Sequence, residues 1–80
     1  MTANEIFEVV LNSIHEVMSG LDTQEITQSD SLEALGANSV ERSDIVMLCL
    51  EKLNLNIPLV ETFGPKNIGE LVLLFDEKLQ

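Results

Sequence analysis

Apolar residues recur at three- and four-residue steps from the start of the chain: Ile6, Phe7, Val10, Leu11, Ile14, Val17 and Met18 share one helical face. Thr2-Ala3-Asn4-Glu5 ahead of them has the spacing of a capping box, in which hydroxyl and carboxylate satisfy the free amides of a helix start. Ser19-Gly20 supplies a stop, so a first helix is predicted over Ala3 to Met18. The pattern then lapses. Residues 20 to 38 are polar and broken, with Ile26, Leu32 and Leu35 spaced to anchor the stretch to a core. Asp30 and Glu33 are placed to cap a single turn around Leu32 to Leu35. A loop of this length in so short a chain is often functional.

Gly36-Ala37-Asn38-Ser39 opens a second helix that runs to Leu53, with Asn38 or Ser39 available as its cap. Asn54 to Pro58 ends it, because the residue before a proline avoids the helical region. Leu59 to Phe63 forms a short helix that Gly64-Pro65 breaks. Asn67-Ile68-Gly69-Glu70 again has capping-box spacing, and Leu71, Val72, Leu74, Phe75 and Leu79 give the last helix its apolar face. No stretch alternates with period two, and no internal repeat is visible. The expected architecture is all-α, a four-helix bundle of three main helices and one short one.

The second helix breaks the amphipathic rule. Ile45-Val46-Met47-Leu48-Cys49-Leu50 is apolar without interruption, and six consecutive residues cover every side of a helix. Either a small bundle wraps it fully, or one side packs and another meets a partner. Glu41, Arg42 and Asp44 on its first turns add a charged frame, as an interaction helix would have.

Composition narrows the function. Eighty residues make one domain, residues 1–80, with a thin core. Fourteen acidic residues against four basic ones give a net charge of −10, which repels nucleic acid and anionic membrane surfaces and favours encounters with Lys- and Arg-bearing proteins. Solubility is the plainer use of such charge. The mean hydropathy of +0.19 excludes an unfolded acidic tail. A single cysteine, Cys49, forms no internal disulfide. No signal peptide and no spanning segment is visible, so the expected location is cytoplasmic. Met1 and the charged ending Asp76-Glu77-Lys78-Leu79-Gln80 favour a discrete protein.

Enzyme signatures are lacking. His15 has no partner at triad or metal-ligand spacing and reads as a surface or half-buried helical residue. Cys49 lies in the apolar run and reads as a small core residue. No calcium loop, metal cluster or glycine-rich phosphate cradle is present. Ser39 stands apart by position, since it follows a long loop and opens a helix whose free amides and dipole favour a phosphate. From physics alone, the ordinary reading of such a serine is an N-cap.

The neighbouring residues change that weighting. Leu35-Gly36-Ala37-Asn38-Ser39-Val40 resembles the attachment motif of acyl carrier proteins, L-G-x-D-S-L, and Ile45-Val46-Met47, Asn56-Ile57-Pro58 and Asn67-Ile68-Gly69-Glu70-Leu71 extend the likeness over the whole chain. The resemblance implies that Ser39 receives 4′-phosphopantetheine from coenzyme A through a separate phosphopantetheinyl transferase. It implies a thioester carrier that performs no catalysis. Asn38 and Val40 depart from the usual Asp and Leu; Asn keeps the capping ability and drops a charge beside the serine.

Gly-Ala-Asn-Ser-Val-Glu-Arg, Leu55-Asn56-Ile57-Pro58 and Lys66-Asn67-Ile68-Gly69-Glu70-Leu71 resemble the free-standing donor carriers of polyketide β-branching cassettes. Such donors are loaded by a ketosynthase-like decarboxylase or an acyltransferase. They hand an acetyl thioester to an HMG-CoA-synthase-like enzyme, which joins it to a β-ketoacyl group on another carrier. A monomer is expected, and Val40, Arg42, Ser43 and Met47 are expected to contact the synthase from their place on the first turns after Ser39. Two alternatives stand beside it. One is a general carrier for polyketide or fatty-acid chain extension; the other is an acidic helical adaptor without a prosthetic group, in which Ser39 is only a cap.

Overall fold

A computed structural model describes residues 1–80. Three α-helices follow in order, α1 (Ala3–Val17), α2 (Ser39–Leu53) and α3 (Ile68–Leu79), with 3-10 helices at Thr23–Glu25 and Leu59–Phe63. The expected all-α bundle of three main helices and one short helix is present, and the short segment has the predicted bounds. α1 ends one residue early, with Met18 as its C-cap donating its amide to Ile14 O at 2.7 Å.

Local sequence explains each helix start. Thr2 caps α1 through a complete capping box, its Oγ1 accepting from Glu5 N while Glu5 Oε1 accepts from Thr2 N. At α3 the box is only half formed. Asn67 Oδ1 accepts from Glu70 N at 2.8 Å, but the Glu70 carboxylate accepts from Lys66 N, one residue further back. The first two amides of α3 are satisfied from across the molecule: Ile68 N donates to Asp30 O at 2.9 Å and Gly69 N to Gln28 O at 2.8 Å. This close approach favours a glycine, because a Cβ on residue 69 would lie 3.1 Å from Gln28 O and push the strap back. The long loop is therefore strapped to the start of α3.

α1 is the hub. It packs against both α2 and α3, while α2 and α3 are not closely packed on one another. Ile6, Val10 and Ile14 of α1 are fully buried, with Ile45, Cys49, Ile68, Val72 and Phe75 completing the centre of the core. Of the predicted apolar faces, Phe7, Leu11, Val17, Met18 and Leu74 are half-buried at the rim, and Leu79, the last residue of α3, is exposed. Ser13, a polar residue on the buried face, is accommodated by donating its hydroxyl to Val9 O at 2.9 Å.

The run Ile45 to Leu50 is divided. Ile45, Val46 and Cys49 are buried, Leu48 and Leu50 are half-buried, and Met47 is 55% exposed. The bundle does not wrap α2.

The predicted turn around Leu32 to Leu35 forms, with a different cap. Ser31 Oγ accepts from Ala34 N, while the Asp30 carboxylate turns back to Thr27 N, and Glu33 caps nothing. Ser31 precedes the turn by the spacing a cap requires, whereas Asp30 lies one residue too early. The turn closes as a Schellman motif, with Ala37 N donating to Leu32 O and Gly36 N to Glu33 O. Gly36 has φ +98°, a backbone conformation that a side chain resists. Gly36→Ala should therefore lower stability by ~1–2 kcal/mol although open space surrounds the site; urea denaturation at constant m-value checks this.

Candidate functional site at the start of the second helix

The segment Ala37–Asn38–Ser39 is held before it becomes helix. Ala37 is buried, and its carbonyl accepts from Arg42 Nη1 at 2.7 Å. Asn38 has extended backbone and is the N-cap of α2, its Oδ1 accepting from Glu41 N at 2.8 Å. Glu41 Oε1 returns the contact by accepting from Asn38 N at 2.9 Å. Sequence left the cap open between Asn38 and Ser39; the structure assigns it to Asn38.

Ser39 is thus the first residue of the helix proper, exposed, with no capping duty. Glu41 N and Arg42 N are taken by Asn38, so the amides of Ser39 and Val40 are the open donors at this end. An exposed hydroxyl, two unengaged amides and the positive end of a fifteen-residue helix suit a phosphate attached at this position.

Beside Ser39 runs a groove of about 610 Å³ between α2 and the segment from the short 3-10 helix into α3. Ser39, Arg42 and Val46 line one wall, and Phe63, Lys66 and Leu71 line the other. The groove exists because α2 and α3 each lean on α1 rather than on one another. Phe63 is 64% exposed, an unusual setting for a large aromatic in so small a core.

The other residues singled out from sequence separate into two settings. Val40 and Met47 are exposed on α2, at 67% and 55%, and Met47 shares a shallow depression with Asp44, Leu48 and Glu51. Ser43 is half-buried on the groove side. Arg42 is also half-buried, and part of its guanidinium is committed to the Ala37 carbonyl. Its first role is to hold the peptide that precedes Ser39. Sequence reasoning missed this, although a basic side chain four residues after the cap is well placed to fold back over a helix start.

The remaining candidates for chemistry are accounted for structurally. Cys49 is fully buried, and that burial pushes its thiol up to about 11, well away from a reactive thiolate. His15 is exposed on α1. No group of His, Cys, Asp and Glu is arranged to hold a metal ion.

Fold and site together define a presenting scaffold, built to hold one helix start out of the core. Comparison with known proteins agrees. A family model described as phosphopantetheine attachment site matches residues 8–75, and the chain belongs to that family. It is a carrier and not a catalyst. The polyketide biosynthesis acyl-carrier-protein AcpK of Bacillus subtilis (strain 168) is 44% identical over 80 residues, covering 100% of this chain and 98% of that protein. A chain from the crystal structure of the curacin biosynthetic pathway HMG synthase in complex with acetyl donor-ACP superposes with a TM-score of 0.91. It is 38% identical, and the match covers 98% of this chain and 100% of that one.

The division of labour at residues 38 and 39 is open to a direct check. Asn38→Ala should cost ~1 kcal/mol through the lost cap. Ser39→Ala should change stability by less than ~0.5 kcal/mol, as an exposed side chain that closes nothing. Paired urea or thermal unfolding of the two variants measures both.

Proposed function

We propose that Ser39 carries 4′-phosphopantetheine and that the chain donates an acetyl thioester to an HMG-CoA-synthase-like enzyme in polyketide β-branching. The observation that carries the reading is the free Ser39 hydroxyl on the first turn of α2, beside a groove, with the capping done by its neighbour. An adaptor whose serine is only a cap does not fit that geometry. The prosthetic group supplies a thiol that holds the acyl group as a thioester. Ser39 would supply the attachment oxygen and the open amides of Ser39 and Val40 would offer donors to its phosphate, while Asn38 and Arg42 keep the attachment peptide in place.

Two comparisons support the donor role over general chain extension. One relative is named for polyketide biosynthesis, and the chain that superposes over almost the whole length comes from a complex of an HMG synthase with an acetyl donor carrier. In this reading residues 1–80 form one carrier domain that acts as a monomer in the cytoplasm; no helix is long and apolar enough to cross a membrane. A phosphopantetheinyl transferase modifies Ser39, and a ketosynthase-like decarboxylase or an acyltransferase loads the acyl group.

The docking face for the synthase is the exposed side of α2. Val40 and Met47 supply apolar contact, with Asp44 and Glu51 beside Met47 as acidic rim. Ser43 borders the same face, while Arg42 serves it by holding the Ala37 carbonyl. A partner surface with an apolar recess edged by Lys and Arg complements this arrangement.

The attachment is tested by intact mass after incubation with coenzyme A, magnesium and a broad-specificity phosphopantetheinyl transferase. One phosphopantetheine adduct is expected, and none on Ser39→Ala; an adduct that survives in the variant, or no adduct on the folded wild type, defeats the assignment.

The docking face is tested with the acetyl-loaded protein. Val40→Ala combined with Met47→Ala should slow acetyl transfer to the synthase roughly tenfold, with stability changed by less than ~0.5 kcal/mol. Faster delivery of the wild-type cargo to an elongating ketosynthase than to the synthase would overturn the donor role.

A further inference from the structure

The groove beside Ser39 has a charge balance opposite to that of the protein. The chain carries fourteen acidic and four basic residues. The groove lining holds two of the four basic residues, Arg42 and Lys66, and one acidic residue, Glu33. In a molecule of net charge −10, this strip is where an anion is least repelled.

The four basic side chains are not equivalent. Lys52 is paired with Glu16, and Lys78 with Glu61 at 3.0 Å. Arg42 spends a donor on the Ala37 carbonyl. Lys66 makes no ion pair. The Glu70 carboxylate accepts from the Lys66 backbone amide and makes no ion pair with its ammonium. Lys66 is exposed and faces the groove from the wall opposite α2, so the protein keeps one uncommitted cation across the groove from the attachment hydroxyl.

We propose that Lys66 is a positioning residue for the prosthetic arm, holding the phosphodiester attached to Ser39 against the groove. The inference rests on Ser39 being the modified residue. The open amides at the start of α2 meet the phosphate from one side and the Lys66 ammonium meets it from the other, with Arg42 adding positive charge on the α2 wall. The arm then leaves Ser39 directed along the groove, past Phe63 and Leu71, instead of sampling solvent freely. The contact is exposed and electrostatic, so salt releases it. That gives a hold weak enough for a partner's own cations to replace when the carrier docks.

The test compares the apo and phosphopantetheinylated forms of the wild-type protein. Each is treated with limiting acetic anhydride, and the extent of acetylation at Lys52, Lys66 and Lys78 is read by peptide mass mapping. A phosphodiester beside the ammonium disfavours the reactive free amine. At low salt, Lys66 should acetylate about fivefold more slowly in the modified form, while Lys52 and Lys78 change little. The difference should shrink as salt is raised from ~0.01 M to ~1 M. Equal rates at Lys66 in the two forms, with the Ser39 adduct confirmed by mass, defeat the contact and leave the carrier reading standing. A slowing shared by all three lysines also defeats it, since that reports a general change. Absence of the adduct defeats the Ser39 assignment itself and the contact with it.

Discussion

The capping box between Asn38 and Glu41 is the interaction on which the site depends. The Asn38 side chain closes one free amide of α2, its carbonyl accepts from Arg42 N, and its own amide is closed by the Glu41 carboxylate. Everything a helix start demands is met by these two residues, and Ser39 is left with no structural obligation. Because Asn38 supplies the cap, a group attached at Ser39 leaves the hydrogen bond that begins the helix in place. Upstream, the Gly36 turn and the hold of Arg42 on the Ala37 carbonyl fix the approaching chain. In the proposed function, this gives the prosthetic arm a stationary base.

The groove is the second consequence of how this short chain spends its apolar residues. With α1 as hub, α2 and α3 each bury one face against it and leave the space between them open. Three further elements hold that space at its width: the strapped loop from Gln28 to Asp30, the one-turn helix ahead of Gly36, and the short helix whose buried Thr62 donates back to Leu59 O. Closing α2 onto α3 would bury more apolar surface at roughly 25 cal/mol per Å². The fold forgoes that gain, and Phe63 stays exposed beside the groove.

Much of this was legible in the sequence, because helix periodicity and caps are local information. The three long helices, the short helix and the box at Thr2–Glu5 follow from residues a few positions apart. What depended on one backbone rotation or on distant contacts was not. Asn38 and Ser39 are both good capping residues, and only the extended φ/ψ of residue 38 decides between them. Asp30 and Glu33 looked like caps for the turn that Ser31 caps, since the Asp30 carboxylate is drawn to Thr27. Glu70 is offset from its expected box, its carboxylate accepting from Lys66 N instead of Asn67 N. Lys66 entered only as the first residue of the Lys66–Leu71 resemblance; its proposed role comes from facing Ser39 across a groove that the tertiary fold creates. The special standing of Ser39 itself came from the resemblance of its surrounding motif, since position alone describes an ordinary helix start equally well.

The acidity of the chain also explains how an exposed apolar stripe is tolerated. Two copies meeting through Val40 and Met47 would bring Asp44 and Glu51 of each into the same small contact, within a molecule that already carries −10. At physiological ionic strength the screening length is about 8 Å, so this repulsion is felt chiefly at contact, where the stripe would otherwise adhere. The same carboxylates become favourable when the opposing rim is basic. One arrangement of charge therefore discourages self-association and rewards a basic partner, and the apolar residues can stay accessible without a lid. The groove is the exception that makes the rest consistent. On the proposed function, the Arg42 and Lys66 charges that line the groove with Ser39 favour an anionic arm close to the protein, while the negative charge outside it suits a basic partner.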